Sequence, residues 1–332
     1  MSLLRVEKLN VKFRHRAGDL QALYDISFSL SSGEMVAIVG ESGAGKSLLG
    51  YSLVNLLAKP GYISSGSIKL DQQELVGLPL KQWQQIRGKR IAMIFQDMMM
   101  TLNPVLTIGE QMVEAIHSHQ RISRREAKQL AISALENVRI SAPEQRFSQY
   151  PHELSGGMRQ RVIIAIVLLL KPEIIIADEP TTALDVTIQA EILYLLKEVC
   201  LREQVALIII SHDFGVVSRI SDRTLVMYAG KIVEQGPTLG IINDPQHPYT
   251  QGLLNALPQM ALPGQRLNQI EGNMPSLDHR PGGCAFHPRC RYAMDKCRHS
   301  EPSYIYTGVS SCACFLLQDL VTQEMNEEDD IG

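Results

Sequence analysis

Apolar and polar residues alternate from Leu4 to Leu30, interrupted by the turn-forming Arg16-Ala17-Gly18-Asp19, and this period of two predicts two strands at the start of the chain. Met35-Val36-Ala37-Ile38-Val39 is apolar throughout and runs into a glycine-rich turn and a helix-forming segment, giving strand, loop and helix. From about Thr107 to Val138 the spacing becomes helical, and Ser123 with Glu126 forms a capping box that opens one helix. The basic run Arg121, Arg124, Arg125 and Lys128 falls on its solvated face. Ile174-Ile175-Ile176-Ala177 and the run from Val205 to Ile210 are continuous and rich in branched residues, as expected of strands buried on both faces of a parallel sheet. Strands alternating with helices make the core α/β. After about Pro245, prolines and glycines become frequent and a group of cysteines comes next, so a boundary is expected near residues 240 to 260.

Composition narrows the classes. A chain of 332 residues with 45% hydrophobic and 20% charged residues is globular and long enough for a sizeable core. Thirty-two basic against thirty-five acidic residues give a net charge of −3, to which Glu327, Glu328, Asp329 and Asp330 contribute, so nothing in the balance supports a nucleic-acid binder. The longest apolar run, Val162 to Leu170, is nine residues. That is about half of the ~18 needed to cross a bilayer. The first residues, Met1-Ser2-Leu3-Leu4-Arg5-Val6-Glu7, lack the pattern of a secretory leader, so the chain is expected to stay in the cytosol. Of six cysteines, five lie between Cys284 and Cys314, and in a reducing compartment such clustering argues for metal ligation over disulfides. Cys200 reads as a small buried apolar residue on a helix.

The chemistry begins at Gly40-Glu41-Ser42-Gly43-Ala44-Gly45-Lys46-Ser47, which fits G-x-x-x-x-G-K-[ST]. The glycines let backbone N–H groups turn inward around a phosphate, and the helix after the loop adds its positive end. Lys46 is placed to reach the β- and γ-phosphates, and the Ser47 hydroxyl to bind Mg²⁺. After the strand Ile174 to Ala177 come Asp178 and Glu179, at the edge where parallel sheets bind ligands. Asp178 is expected to hold Mg²⁺ through its water shell, and Glu179 to orient or deprotonate the water that attacks the γ-phosphate. Leu154-Ser155-Gly156-Gly157-Met158-Arg159-Gln160 is a second glycine-bearing helix start suited to an anion. One nucleotide uses two such sites only if the fold joins them or two chains meet face to face.

These residues, in order, resemble the ATP-binding subunits of ABC transporters: the phosphate loop, Gln96 after the strand Ile91 to Phe95, the signature Leu154 to Gln160, Asp178-Glu179, Ala183-Leu184-Asp185 and His212. The resemblance implies a phosphate-loop NTPase core with an antiparallel β subdomain and a helical subdomain over about 97–160. It implies head-to-tail pairing, in which Ser155, Gly156 and Gly157 of one subunit close the ATP held by Gly40, Ser42, Gly43, Gly45, Lys46, Ser47 and Leu48 of the other. Gln96 is then expected to ligate Mg²⁺ and report the γ-phosphate to a membrane subunit. His212 holds the γ-phosphate and the water, Asp185 bridges the two sites, and Phe13 stacks on adenine. Phe95-Gln96-Asp97 leading to Leu102-Asn103-Pro104, then His247-Pro248-Tyr249-Thr250, and the late cysteines bring the resemblance closer to the oligopeptide, dipeptide and nickel importers. Met98-Met99-Met100 departs from that group, which commonly has Pro-Met after the Asp.

The resemblance further implies a nucleotide-binding domain over 1–245 and an extension over 246–332. The subunit is expected to be a peripheral ATPase on the cytoplasmic side of the inner membrane, with two permeases, a second ATPase subunit that makes a heterodimer, and an external solute-binding protein. A soluble ABC ATPase of DNA repair or translation is the rival reading, and the cargo, whether peptide, nickel or metal chelate, is not legible. Four thiolates fit either zinc or an iron–sulfur cluster. The resemblance implies a [4Fe–4S] cluster on Cys284, Cys290, Cys297 and Cys314, with Cys312 spare and His287 and His299 at the surface. The cluster is expected to brace a small appendage, with the nucleotide motifs folding around a separate core.

Overall fold

The computed structural model describes residues 2–97, 101–182, 184–257 and 269–318. Met98-Met99-Met100, Ala183 and the acidic residues 327–330 lie outside the described residues. The alternating start forms β1 (Ser2–Phe13) and β2 (Leu20–Ser31), joined at the expected turn and paired antiparallel. Next come β3 (Met35–Val39), α1 (Lys46–Leu53), β4 (Gly61–Leu70) and β5 (Gln73–Glu74). Among the described residues, β2, β1, β4 and β5 make a four-stranded antiparallel sheet.

The central sheet is built from β3, β6 (Ile91–Ile94), β7 (Ile174–Asp178), β8 (Ala206–Ser211) and β9 (Arg223–Tyr228), all parallel, in the order β9-β3-β8-β7-β6. Every residue of β3, β6, β7 and β8 is buried. Alternation between two cores explains why polar residues enter only at their C-terminal ends, as Asp178 and Ser211. Met35, Ala37, Val39, Ile175, Ala177, Leu207 and Ile209 enter one core, while Val36, Ile38, Ile174, Ile176, Ile208 and Ile210 enter the core on the opposite face.

Between β6 and β7 lie the helices α2 (Ile108–His117), α3 (Arg124–Asn137), α4 (Pro143–Phe147) and α5 (Gly156–Leu168). The predicted Ser123–Glu126 capping box opens α3, and an unforeseen one, Thr107 with Glu110, opens α2. Arg121, Arg124, Arg125 and Lys128 are exposed. After β7 comes α6 (Val186–Glu203), where Cys200 is fully buried and its thiol is pushed up to about 12 by burial. No helix among the described residues is long and apolar enough to cross a membrane.

Among the described residues, the C-terminal part shares the core of the central sheet. β10 (Lys231–Pro237) pairs with β9, and β12 (Ser311–Cys312) pairs with β10 and with β11 (Ile305–Tyr306), so the late strands extend the central sheet. Tyr249, Leu254, Ala285 and Phe286 belong to the same core as Val39 and Ala177. Tyr228 of β9 meets Tyr249 and Phe286 with ring centroids 4.7 and 5.1 Å apart at steep angles. Each such pair contributes roughly 0.5–1.5 kcal/mol beyond area burial. The expectation of a separately folding core for the nucleotide motifs is corrected by this shared packing.

Candidate functional site

Because β3, β6, β7 and β8 run parallel, their C-terminal ends lie at one edge, and each carries chemistry there: the loop 40–47 after β3, Gln96 after β6, Asp178 at the end of β7 and His212 after β8. The loop turns on glycines. Gly45 has φ +100° and caps α1 without a side chain, which leaves the first helical N–H groups open to an anion. Gly40 lies so close to β9 that an added Cβ would sit 2.3 Å from the Met227 carbonyl oxygen. Lys46 is buried and its Nζ donates to the carbonyls of Gly40 at 2.8 Å and Glu41 at 3.0 Å. Burial lowers its pKa, opposed by the charges of Glu179, Asp178 and Glu41.

The Ser47 hydroxyl donates to Asp178 Oδ1 at 3.0 Å, so two of the three expected magnesium ligands already face each other. Asp178 is fully buried, and its Oδ2 has no hydrogen-bond partner. Burial raises its pKa; the Ser47 hydrogen bond works the other way. An orphaned carboxylate oxygen beside a serine hydroxyl is the donor set a hard divalent cation takes, so these residues fit Mg²⁺.

Glu179 has φ +44°, a left-handed conformation that costs a non-glycine residue, and it is held by its own N–H donating to the Ile210 carbonyl at 3.0 Å. Three side chains converge on its carboxylate. Gln96 Nε2 and Thr182 Oγ1 donate to Oε2, each at 3.0 Å, and His212 Nδ1 lies 3.1 Å from Oε1. A carboxylate has no proton to give, so Nδ1 is the donor there. Burial pushes the Glu179 pKa up, but the His212 hydrogen bond and charge, Thr182 and Lys46 outweigh it, and the net direction is down. The carboxyl group is thus ionised at neutral pH. Thr182 had no motif to reveal it.

The signature forms a different cluster. Ser155 caps α5 by accepting from the Met158 N–H at 3.3 Å, and Asp185 caps α6 by accepting from the Ile188 N–H at 3.0 Å. Gly156 and Gly157 sit where an added Cβ would lie 3.2 Å from Leu184 and 2.9 Å from Ile188. Hydrogen bonds therefore pair Ser47 with Asp178, gather Gln96, Thr182 and His212 on Glu179 and hold Lys46 on the carbonyls of Gly40 and Glu41, while Gly156 and Gly157 of the signature pack against Leu184 and Ile188, on either side of Asp185. Phe13 is half-buried at the end of β1, its ring against Gly61. Leu48 is half-buried against the core that contains Ala44 and Leu49.

Cys284, Cys290, Cys297 and Cys314 line one small cavity of about 20 Å³ together with His287, while Cys312 is buried on β12 outside it. His299 is exposed. Burial raises the thiol pKa of Cys284 and Cys290 and pushes that of Cys314 up to about 11. Among the described residues no group of three or more His, Cys, Asp or Glu side chains is arranged to hold a metal ion. The expected metal-binding character of the C-terminal segment, the [4Fe–4S] cluster included, therefore finds no support in this arrangement.

A family model described as ABC transporter matches residues 23–182, and one described as the C-terminal region of oligopeptide/dipeptide transporters matches residues 233–297. The oligopeptide transport ATP-binding protein AppD of Bacillus subtilis is 44% identical over 320 residues, 96% of this chain and 98% of that protein. The dipeptide transport ATP-binding protein DppD of Escherichia coli is 45% identical over 303 residues, 91% of this chain and 93% of that protein. Among solved structures, the dimeric ATP-binding cassette MJ0796 bound to ADP and Pi in a post-hydrolysis state aligns with a TM-score of 0.63 and 26% identity, covering 71% of this chain and 98% of that one. The cbiO1 component of the cbiONQ transporter complex of Clostridium perfringens aligns with a TM-score of 0.63 and 28% identity, covering 73% and 91%.

Proposed function

Since the chain belongs to the oligopeptide and dipeptide group of ABC transporter ATP-binding proteins, we propose that it drives import of short peptides from the cytoplasmic face of the inner membrane, beneath two permeases served by an external solute-binding protein. It is an ATP hydrolase of the ABC fold, and the soluble ABC ATPases of DNA repair or translation are not favoured. The observation that carries the hydrolytic reading is the Glu179 carboxylate held by Gln96, Thr182 and His212 at the strand edge, beside Lys46 and the orphaned oxygen of Asp178.

In this reading the loop 40–47 and Lys46 bind the phosphates, and the N–H groups at the start of α1 add positive potential. Ser47, Asp178 and Gln96 hold magnesium, which when bound offsets phosphate charge. Glu179 takes the proton of the attacking water, His212 steadies the carboxylate and reaches the γ-phosphate, and Phe13 stacks on adenine. Ser155, Gly156, Gly157 and Asp185 serve the ATP of a second subunit. That division agrees with the packing of the signature glycines against Leu184 and Ile188. We take residues 1–245 as the nucleotide-binding domain, with its helical subdomain at about 97–160, and 246–332 as an extension grown onto its sheet. We also assign a [4Fe–4S] cluster to Cys284, Cys290, Cys297 and Cys314, which share one cavity that Cys312 does not enter.

The test is reconstitution: the chain tagged and purified with its permeases should support ATP-dependent uptake of labelled di- and oligopeptides into proteoliposomes. Failure to copurify with any membrane subunit would sink the proposal. Mass measurement of the same complex checks the pairing. One copy of this chain and one of a different ATPase is expected, and two copies of this chain would refute the heterodimer.

A further inference from the structure

The phosphate loop has partners that hydrolysis does not use, and they come from the far end of the chain. Arg289 forks onto Glu41, Nη1 to Oε2 at 2.7 Å and Nη2 to Oε1 at 3.0 Å. Its other bonds go to the carbonyls of Glu271 at 2.8 Å and Ile270 at 3.2 Å, and its side chain is only 5% exposed. The Glu41 N–H donates to the hydroxyl of fully buried Tyr249 at 2.8 Å. Met274 packs over Gly43 of the same loop. Glu41 in turn accepts from Lys46 through its carbonyl at 3.0 Å, so one residue ties the phosphate-binding lysine to the C-terminal segment.

Left alone, the Glu41 carboxylate would stand as a negative charge in a loop whose task is to receive phosphates. A bidentate guanidinium both cancels that charge and fixes its direction. Arg289 itself ends the short turn His287–Arg289, which hydrogen-bonds to Cys284 at one side, with His287 N donating to the Cys284 carbonyl at 3.0 Å, and to Cys290 at the other, with Cys290 N donating to the His287 carbonyl at 3.3 Å. The cysteine segment thus aims the arginine.

We propose that Arg289 is a positioning residue for nucleotide binding: by neutralising and anchoring Glu41 it holds the phosphate loop ready for an anion, so that ATP affinity depends on the order of the cysteine-bearing turn. The proposal rests on the reading of residues 40–47 as the ATP site. Its test is titration of the full chain with a non-hydrolysable ATP analogue and Mg²⁺, alongside turnover of the assembled transporter at saturating ATP. Arg289→Gln should weaken analogue binding roughly tenfold, within the usual range of coupling between sites. Turnover at saturation should stay within about twofold, since the loss is in binding and not in the chemical step. Adding Glu41→Gln to Arg289→Gln should restore most of the affinity, because the repelling charge is gone. Arg289→Lys, which keeps the charge without the fork, should lie between. Wild-type affinity in Arg289→Gln overturns the proposal, and so does a loss that Glu41→Gln fails to rescue, which would mark a merely structural residue. Lys46→Ala serves as the control for the underlying reading: unimpaired analogue binding in that variant would place the ATP site elsewhere, whatever Arg289 does.

Discussion

Replacing Asp178 by Asn should make the nucleotide-free protein more stable while removing its response to magnesium. Asp178 is 0% exposed, one of its oxygens is unpartnered, and its carboxylate lies next to that of Glu179. An unpartnered buried group costs more when charged than when neutral, by on the order of 1–3 kcal/mol, and the neutral amide also relieves the repulsion from Glu179. For 332 residues the unfolding entropy near the midpoint is on the order of 0.7 kcal/mol per kelvin, so the gain corresponds to a rise in Tm of about 1.5–4 °C if the chain unfolds as one unit. Differential scanning calorimetry in EDTA, then with ATP, then with ATP and Mg²⁺, reads both effects. The wild type should gain an added shift on magnesium addition, and Asp178→Asn should show the higher baseline without that added shift. The penalty belongs to the ionised carboxylate. Its folded pKa is raised, so the destabilisation is fully present above that folded value and disappears as pH falls below the ordinary value, and the Tm difference between the two proteins should shrink on acidification. A lower Tm in Asp178→Asn at neutral pH, or an unchanged magnesium response, would refute the reasoning.

Lys46→Ala should weaken ATP binding about ten- to hundredfold in an equilibrium titration, the loss expected for charge-assisted hydrogen bonds of roughly 1.5–3 kcal/mol. Protein purified without oxygen should carry iron and acid-labile sulfide. Cys314→Ser should lose both more completely than Cys312→Ser, because Cys314 lines the shared cavity and Cys312 does not; stoichiometric zinc without sulfide would overturn the cluster, and equal losses would undo the ligand choice.

The features legible in the sequence are local ones. The strands β3, β7 and β8 announce themselves because both faces are buried, and the phosphate loop, Asp178-Glu179 and the signature are contiguous motifs whose chemistry comes from residue type and order. Gln96 and His212 have no motif of their own, and only their place after parallel strands brings them to Glu179. The structure adds what depends on long separations. Arg289 and Glu41 are 248 positions apart, and nothing in the composition around Cys290 marks the arginine as a partner of the phosphate loop. The same holds for Tyr249, which stands in a recognisable His-Pro-Tyr-Thr stretch yet acts by accepting from a backbone N–H 208 positions earlier. A proline- and glycine-rich tail suggests an appendage. Its aromatic residues instead fill the core beside β9, a contact set by packing volume and not by any periodic pattern.

The central claim is that this chain hydrolyses ATP with Glu179 as the base, and it is tested most directly by Glu179→Gln in the assembled transporter. The substitution keeps the size and most hydrogen bonds of the side chain while removing its ability to take a proton. ATP affinity and phosphate release measured on one preparation should show binding retained and turnover abolished. Hydrolysis by Glu179→Gln at the wild-type rate would contradict the account.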